Sequence, residues 1–350
     1  MGDQGLTSPA GPASPPYRNG PYNWDQFISF NGGIGGSNTK GKHVYVDGTN
    51  GSDSAKGTGW GQAFKTIQKA ITSAKANGVV YVIPKAIAEG ETDPASYEEN
   101  LIIPATHENL SIIGISTGRT QGGLPQLKDG DGTTVAILII RSPGCLIANI
   151  GFNGAGNTGG GILLDDDSST KVAFGTSIIG CHFKNCKGHA TDGRLGGAIM
   201  WSSEGGAWQV LISGNRFYKN VADIVLLGTS GSRPQDVVIE NNDFSGPGGS
   251  VDVNIYLAAG SGMDGVTIKN NTFQQLPAIG SGSVVRYIDT TGCVGMLIGN
   301  TFGCQTNPTG GTVITFKATG TGGKIPTTMH LVANYGQSIN SGETGIITIA

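Results

Sequence analysis

Three adjacent carboxylates, Asp165, Asp166 and Asp167 in "LLDDDSS", close a strand-like apolar run. Hydrolysis of a glycosidic bond takes two carboxyl groups flanking that bond, one protonated and one ionised. Aligning the run with its successors sets Asp165 over Trp201, Leu227 and Leu257, where no second acid stands. Asp166 falls over Ser202, Gly228 and Ala258, with Asp289 several strands further on. A solvated turn is the other reading of the triplet. Eliminative cleavage of a uronate would use a basic group instead, and Arg286 in "VVRYID" is the isolated candidate. Its neighbour Asp289 offers it a salt bridge just as readily. Neither catalytic set is complete.

Binding chemistry has its own candidates. Trp201, Trp208, Tyr256 and Tyr287 stand in or beside successive strand-like runs, where exposed rings could stack on sugars. Alternation points Tyr256 outward, between Ile255 and Leu257. Packing between strands or between copies of the chain is the alternative use of these rings. Asp47, Asn50 and Asp53 in a Gly-rich loop have spacing compatible with calcium, but such side chains usually bond their own backbone. The five cysteines form no CxxC pair, so they read as buried free thiols. No metal and no cofactor is expected.

The elements that must position these residues announce themselves as a repeat. Aligning "LIANIGF", "SIIGCHF", "LISGNRF", "VIENNDF", "TIKNNTF" and "LIGNTF" places Phe at 152, 183, 217, 244, 273 and 302. Five residues earlier stands Ile147, Ile178, Ile212, Ile239, Ile268 or Leu297, and Asn215, Asn242, Asn271 and Asn300 precede the last four Phe by two. "LVANYG" keeps Leu331 and Asn334 but ends in Gly336. A second strand-like run follows each copy, from "GILLD" to the closing "GIITIA". A unit of two or three short strands cannot bury its own apolar face, whereas a stack of them can. With no helix between strands, the all-β solution is a right-handed parallel β-helix with a period of about 30 residues. Like residues then stack: Ile and Leu fill the interior, and Asn lines an inward bend. Asn271→Ala should on this view cost about one hydrogen bond.

Ahead of the repeat, Phe64, Ile67, Ala70, Ile71 and Ala74 recur at helical spacing, predicting a capping α-helix over about 64–77 that stops at Asn77-Gly78. Residues 1–40 form a Gly/Pro-rich arm and 41–350 the β-helix domain; within the arm, Trp24, Phe27 and Phe30 are assembly anchors. Only 13% of residues are charged and the net charge is −3, which excludes a basic nucleic-acid surface. No apolar run is long enough for a membrane span, and the N-terminus reads as no secretory signal.

The succession "VYVDGTNGSDSAKGTGWGQAFKTIQKAI", "GVVYVIP", "SYEENLIIP" and "LSIIG" resembles the opening of pectin-lyase-like right-handed β-helix proteins, whose N-terminal helix caps the first turn. That superfamily includes polysaccharide lyases, glycoside hydrolases, adhesins and bacteriophage tailspikes and fibres. Its polygalacturonase-like members carry Asn-Thr-Asp, Asp-Asp and Gly-His-Gly elements; "GHATDGR", with His189, Asp192 and Arg194, does not match that order. Among these, the missing export signal, an extended N-terminal arm suited to anchoring and the incomplete catalytic set favour a virion spike- or fibre-like protein, resembling a bacteriophage tailspike, that recognises a host-surface polysaccharide. It would form a homotrimer and meet other virion proteins through its arm. A polysaccharide lyase or glycoside hydrolase and an extracellular adhesin are the alternatives.

Overall fold

The computed structural model describes residues 41–87, 89, 95–115, 123–130, 136–154, 159–165, 172–187, 197–201, 208–228, 235–245, 253–259, 263–275, 284–289, 293–304, 312–317, 329–337 and 344–346. Each turn of the chain lays one strand in each of three sheets, as in Leu211–Ser213, Arg216–Tyr218 and Ala222–Gly228. The first sheet has ten strands, from His43–Val46 to Met329–Val332. The second also has ten, from Tyr97–Glu98 to Thr344–Ile346, and the third has eight, from Leu101–Ile103 to Thr312–Lys317. Neighbouring strands are parallel and one turn apart, so the fold is a right-handed parallel β-helix.

Each period contains three strands, within the sequence's expectation of at least two, because a sharp bend divides motifs such as "LISGNRF". The residue before each ladder asparagine is left-handed: Gly214 (φ 65°), Asn241 (56°), Asn270 (54°), Gly299 (61°) and Ala333 (49°). Gly and Asn reach that region at low cost, and the chain there swings from the first sheet into the second.

The aligned columns stack as the period requires. Ile147, Ile178, Ile212, Ile239 and Ile268 are fully buried and paired turn to turn, with Leu297 next. The six Phe rings run along the interior at centroid separations of 4.7–5.1 Å, nearly parallel. Beside them, Asn215, Asn242, Asn271, Asn300 and Asn334 form a ladder, each Nδ2 donating to the next Oδ1 at 2.9–3.0 Å. Asn271 also donates to the Ile239 carbonyl, and its Oδ1 accepts the Asn242 backbone N–H as well as Asn242 Nδ2. Removing this amide strands several buried groups at once, more than the single hydrogen bond suggested by the sequence.

The capping helix α1 is shorter than predicted, Ile67–Ala74. Phe64 stands outside it, bridging to Val46 as extended backbone. Asp53 accepts the backbone N–H of Lys65 and Thr66, and Glu99 accepts those of Ile67 and Gln68, so two carboxylates occupy the helix start. Lys75 (φ 61°) and Asn77 (φ 57°) stop it. Ile67, Ala70, Ile71 and Ala74 join the interior core cluster, which closes the N-terminal end of the stack. At the other end, Thr344–Ile346 is not a further parallel turn: it pairs antiparallel with Tyr335–Gln337 on the second sheet.

Candidate functional site

The structure disperses the aromatic candidates. Trp201 pairs with inward-facing Leu164 and is 1% exposed, and Tyr287 is 2% exposed. Tyr287 packs on Phe273 and Phe302 at 5.6 and 5.7 Å. Both are core residues and cannot stack on a sugar, which corrects the expectation. Tyr256 faces outward on the third sheet, half-buried against Ala222, Val225 and Val253. Trp208 bridges to Gln235 ahead of Leu211–Ser213, apart from Tyr256's sheet. No two of the four share a binding face.

The acids are likewise not assembled. Leu164, rather than Asp165, lies over Trp201, so the sequence alignment slipped by one residue. Asp165 follows that strand and pairs with Arg141 Nε at 2.9 Å. Asp289 registers on Tyr256, and Arg286 on Val253. Four turns separate Asp165's strand from theirs, roughly 19 Å at about 4.8 Å per turn. Paired glycosidase carboxyls stand within about 10 Å. Asp165 and Asp289 therefore do not form a hydrolytic pair. Asp166, Asp167, His189, Asp192 and Arg194 lie outside the described residues, as do Trp24, Phe27 and Phe30.

The loop carboxylates are engaged by donors. Burial pushes the Asp47 carboxyl up, but the N–H groups of Asn50 and Thr49 and the Asn50 amide outweigh it and hold the carboxyl below its usual range. Asp53 is held by the start of α1. Burial pushes the Cys145 thiol up to about 11 and those of Cys181 and Cys186 to about 12, so none is a ready nucleophile at neutral pH.

What the sequence reading missed is the outer face of the second sheet. Each Phe of the column points inward, so its two neighbours point out. In register these neighbours are His182, Arg216, Asp243 and Thr272 in one row and Lys184, Tyr218, Ser245 and Gln274 in the next. Every member can hydrogen-bond, and the rows run across four turns. His182 and Lys184 are buried, while Arg216, Asp243 and Tyr218 are half-exposed. Arg216 Nε lies 3.8 Å from Asp243 Oδ2, a loose pair, and Lys219 sits over the Tyr218 ring at 5.2 Å. The signal was present in the sequence as the residues flanking each aligned Phe.

The third sheet offers a different chemistry. Its outward row is Ile102, Ile139, Leu163, Met200, Val225 and Tyr256, apolar or aromatic through six turns. Ile102 is exposed, and Ile139, Leu163 and Tyr256 are half-buried.

A further polar group lies inside the stack. Asp223 is 2% exposed, and its carboxylate oxygens contact Asn220 Nδ2 at 2.8 Å and Asn254 Nδ2 at 2.6 Å. Burial pushes it up to about 7 against the pull of those two amides. Enclosed in the interior, it meets no substrate, and its role is in stability.

No family model and no curated protein matches the chain. Among solved structures it is similar to ORF18 of Geobacillus virus E2, at 12% identity and a TM-score of 0.43 over 87% of this chain. The chain spans 63% of the length of that protein. It is also similar to a GH136 lacto-N-biosidase from Eubacterium ramulus, at 11% identity and a TM-score of 0.37, covering 90% of this chain and 70% of that one. The Dettilon tailspike protein aligns at 15% identity and a TM-score of 0.35, over 85% of this chain and 62% of that one. These are likenesses of fold alone; that the chain is a parallel β-helix rests on its own three sheets of parallel strands.

Proposed function

We propose that this chain is a spike- or fibre-like virion protein that holds a host-surface polysaccharide on the outer face of its second sheet. The observation that carries this reading is the pair of hydrogen-bonding rows centred on Arg216, Asp243 and Tyr218. Sugars present hydroxyls and weakly apolar ring faces, and a flat array of ion-pair, hydroxyl and amide groups around one aromatic ring matches both. The arm, residues 1–40, would provide attachment to other virion proteins.

The test is binding of purified host-surface polysaccharide to the intact protein. Tyr218→Ala and Arg216→Ala should each weaken it about tenfold, on the order of 1.4 kcal/mol, with melting unchanged. Tyr256→Ala should leave binding intact. Equal loss from Tyr256→Ala and none from Tyr218→Ala would place the ligand elsewhere, and release of reducing ends or unsaturated uronates would make the protein an enzyme.

The exposed Ile102 and the half-buried Ile139 and Leu163 of the third sheet support the homotrimer, since an apolar strip left open to solvent is what a copy of the same rod can cover. Light scattering at micromolar concentration should report three chains for the parent and one for Leu163→Glu. A monomeric parent would refute the assembly.

A further inference from the structure

The chain passes from the third sheet back to the first through a corner that repeats from turn to turn. The backbone N–H groups of Asn109, Gly144, Gly175 and Gln209 donate to the carbonyls of Pro143, Phe174, Trp208 and Gln235 one turn on, at 2.7–2.9 Å. Pro143, Phe174, Trp208 and Gln235 therefore lie in register as one row, with Asn109, Gly144, Gly175, Gln209 and Asp236 as the row beside it. The second row is left-handed throughout, with φ between 53° and 69°. Phe174 is 41% exposed, Pro143 and Trp208 are half-buried, and Gln209 is exposed. Nothing in the stack requires a large ring at 174, since Glu108, Pro143 and Gln235 occupy the same row.

The two glycines of the second row differ. Gly144 makes room for the Asn109 side chain, whose Oδ1 lies where a Cβ would stand. Gly175 makes room for nothing in the fold: a Cβ there would meet no atom closer than 3.8 Å. Its backbone does not demand glycine either, because Asn109, Gln209 and Asp236 adopt the same conformation in the same row. The bare backbone at 144 and 175 leaves a shallow notch beside two aromatic residues one turn apart, a spacing of about 4.8 Å.

We infer that this notch is a carbohydrate subsite, in which Phe174 and Trp208 take the apolar face of a neutral sugar ring and the amides of Gln209 and Gln235 take its hydroxyls. Charge selects the neutral sugar. The described residues of the two rows include no cation, and their carboxylates, Glu108 and Asp236, stand at the ends. The corner joins the third sheet to the first and does not border the second, so this subsite is separate from the rows around Arg216 and Tyr218. A rod with sites on two sides can hold two glycan strands at once, which strengthens attachment to a surface that presents many.

The experiment probes arrayed neutral oligosaccharides of hexoses and N-acetylhexosamines with labelled full-length protein. The reference is the Arg216→Ala, Tyr218→Ala double variant, which removes the second-sheet contacts and should still bind neutral glycans. Adding Phe174→Ala should weaken that binding at least tenfold with melting unchanged, because the ring is exposed. Adding Gly175→Asn should do the same by filling the notch, since the backbone accepts Asn and the space beside it is open. Neutral glycans that stay bound with either addition would overturn the inference, as would a double variant that binds none of them. The second-sheet reading stands or falls separately, on whether the double variant binds host-surface polysaccharide more weakly than the parent.

Discussion

Ile268→Asp is expected to abolish or strongly lower the cooperative melting transition, while Thr267→Asp, one residue away, leaves it nearly unchanged. Ile268 is fully buried, stacked between Ile239 and Leu297, and Thr267 points outward. A carboxylate at 268 would lose hydration and packing together, a cost of about 3–5 kcal/mol, comparable to a large part of a domain's stability. In a stack stabilised by contacts between neighbouring turns, the loss also uncouples the turns on either side. Asn271→Ala should fall between these variants, at about 2–3 kcal/mol, because it orphans buried donors on Asn242 and the Ile239 carbonyl. Thermal melts of the three variants test the register directly. Equal damage from Thr267→Asp and Ile268→Asp would mean that the assigned inward face is wrong.

The repeat was legible because stacking enforces identity. A ring at one turn is favoured by the same ring 4.7–5.1 Å away, so the Phe column survives as a readable period. The Asn ladder is readable for the same reason, since each amide needs its like above and below. Less legible was whatever the columns do not repeat. The strands of the third sheet vary in length from three to seven residues, so aligning them by their ends set Asp165 rather than Leu164 on Trp201. One residue of slip exchanges the two faces of a strand, and it set Asp165 on an inward column that Leu164 occupies. The bend was legible as the Asn column, but not that it splits motifs such as Gly214-Asn215 and Asn270-Asn271 between two sheets; their left-handed backbone makes that division. The polar rows of the second sheet were hidden with that division, since without it there is no second sheet to face outward. Asp223 escaped notice because the turn before it places Ala198 near that position and the turn after it Asn254, so no column of acids marks the site.

Asp223→Asn is expected to raise stability at pH 8 and to flatten the dependence of stability on pH between about 4 and 7. The carboxyl is buried beside Asn220 and Asn254, and burial lifts it from 3.8 to about 7. The Cys186 thiol, which feels the Asp223 charge, is pushed up to about 12, chiefly by burial, and stays neutral across this range. The folded state therefore holds the Asp223 proton more tightly than the unfolded chain does. Its stabilising effect is complete below the unfolded value, declines as pH rises through the window, and is gone above about 7. The span amounts to roughly 4 kcal/mol at most. The geometry suits the neutral acid. Asn254 Oδ1 has no partner, whereas its Nδ2 lies only 2.6 Å from Asp223 Oδ2, a separation typical of O–H···O contacts. Exchanging the amide's oxygen and nitrogen, which have nearly the same shape, lets the protonated carboxyl donate to Asn254. An Asn at 223 would make the same donation at every pH. Denaturant melts of parent and variant from pH 4 to pH 8 measure the difference. The two curves should converge toward the acid end and separate by several kcal/mol at pH 8. Parallel curves would show that Asp223 folds already ionised, with both Asn amides donating to a true carboxylate.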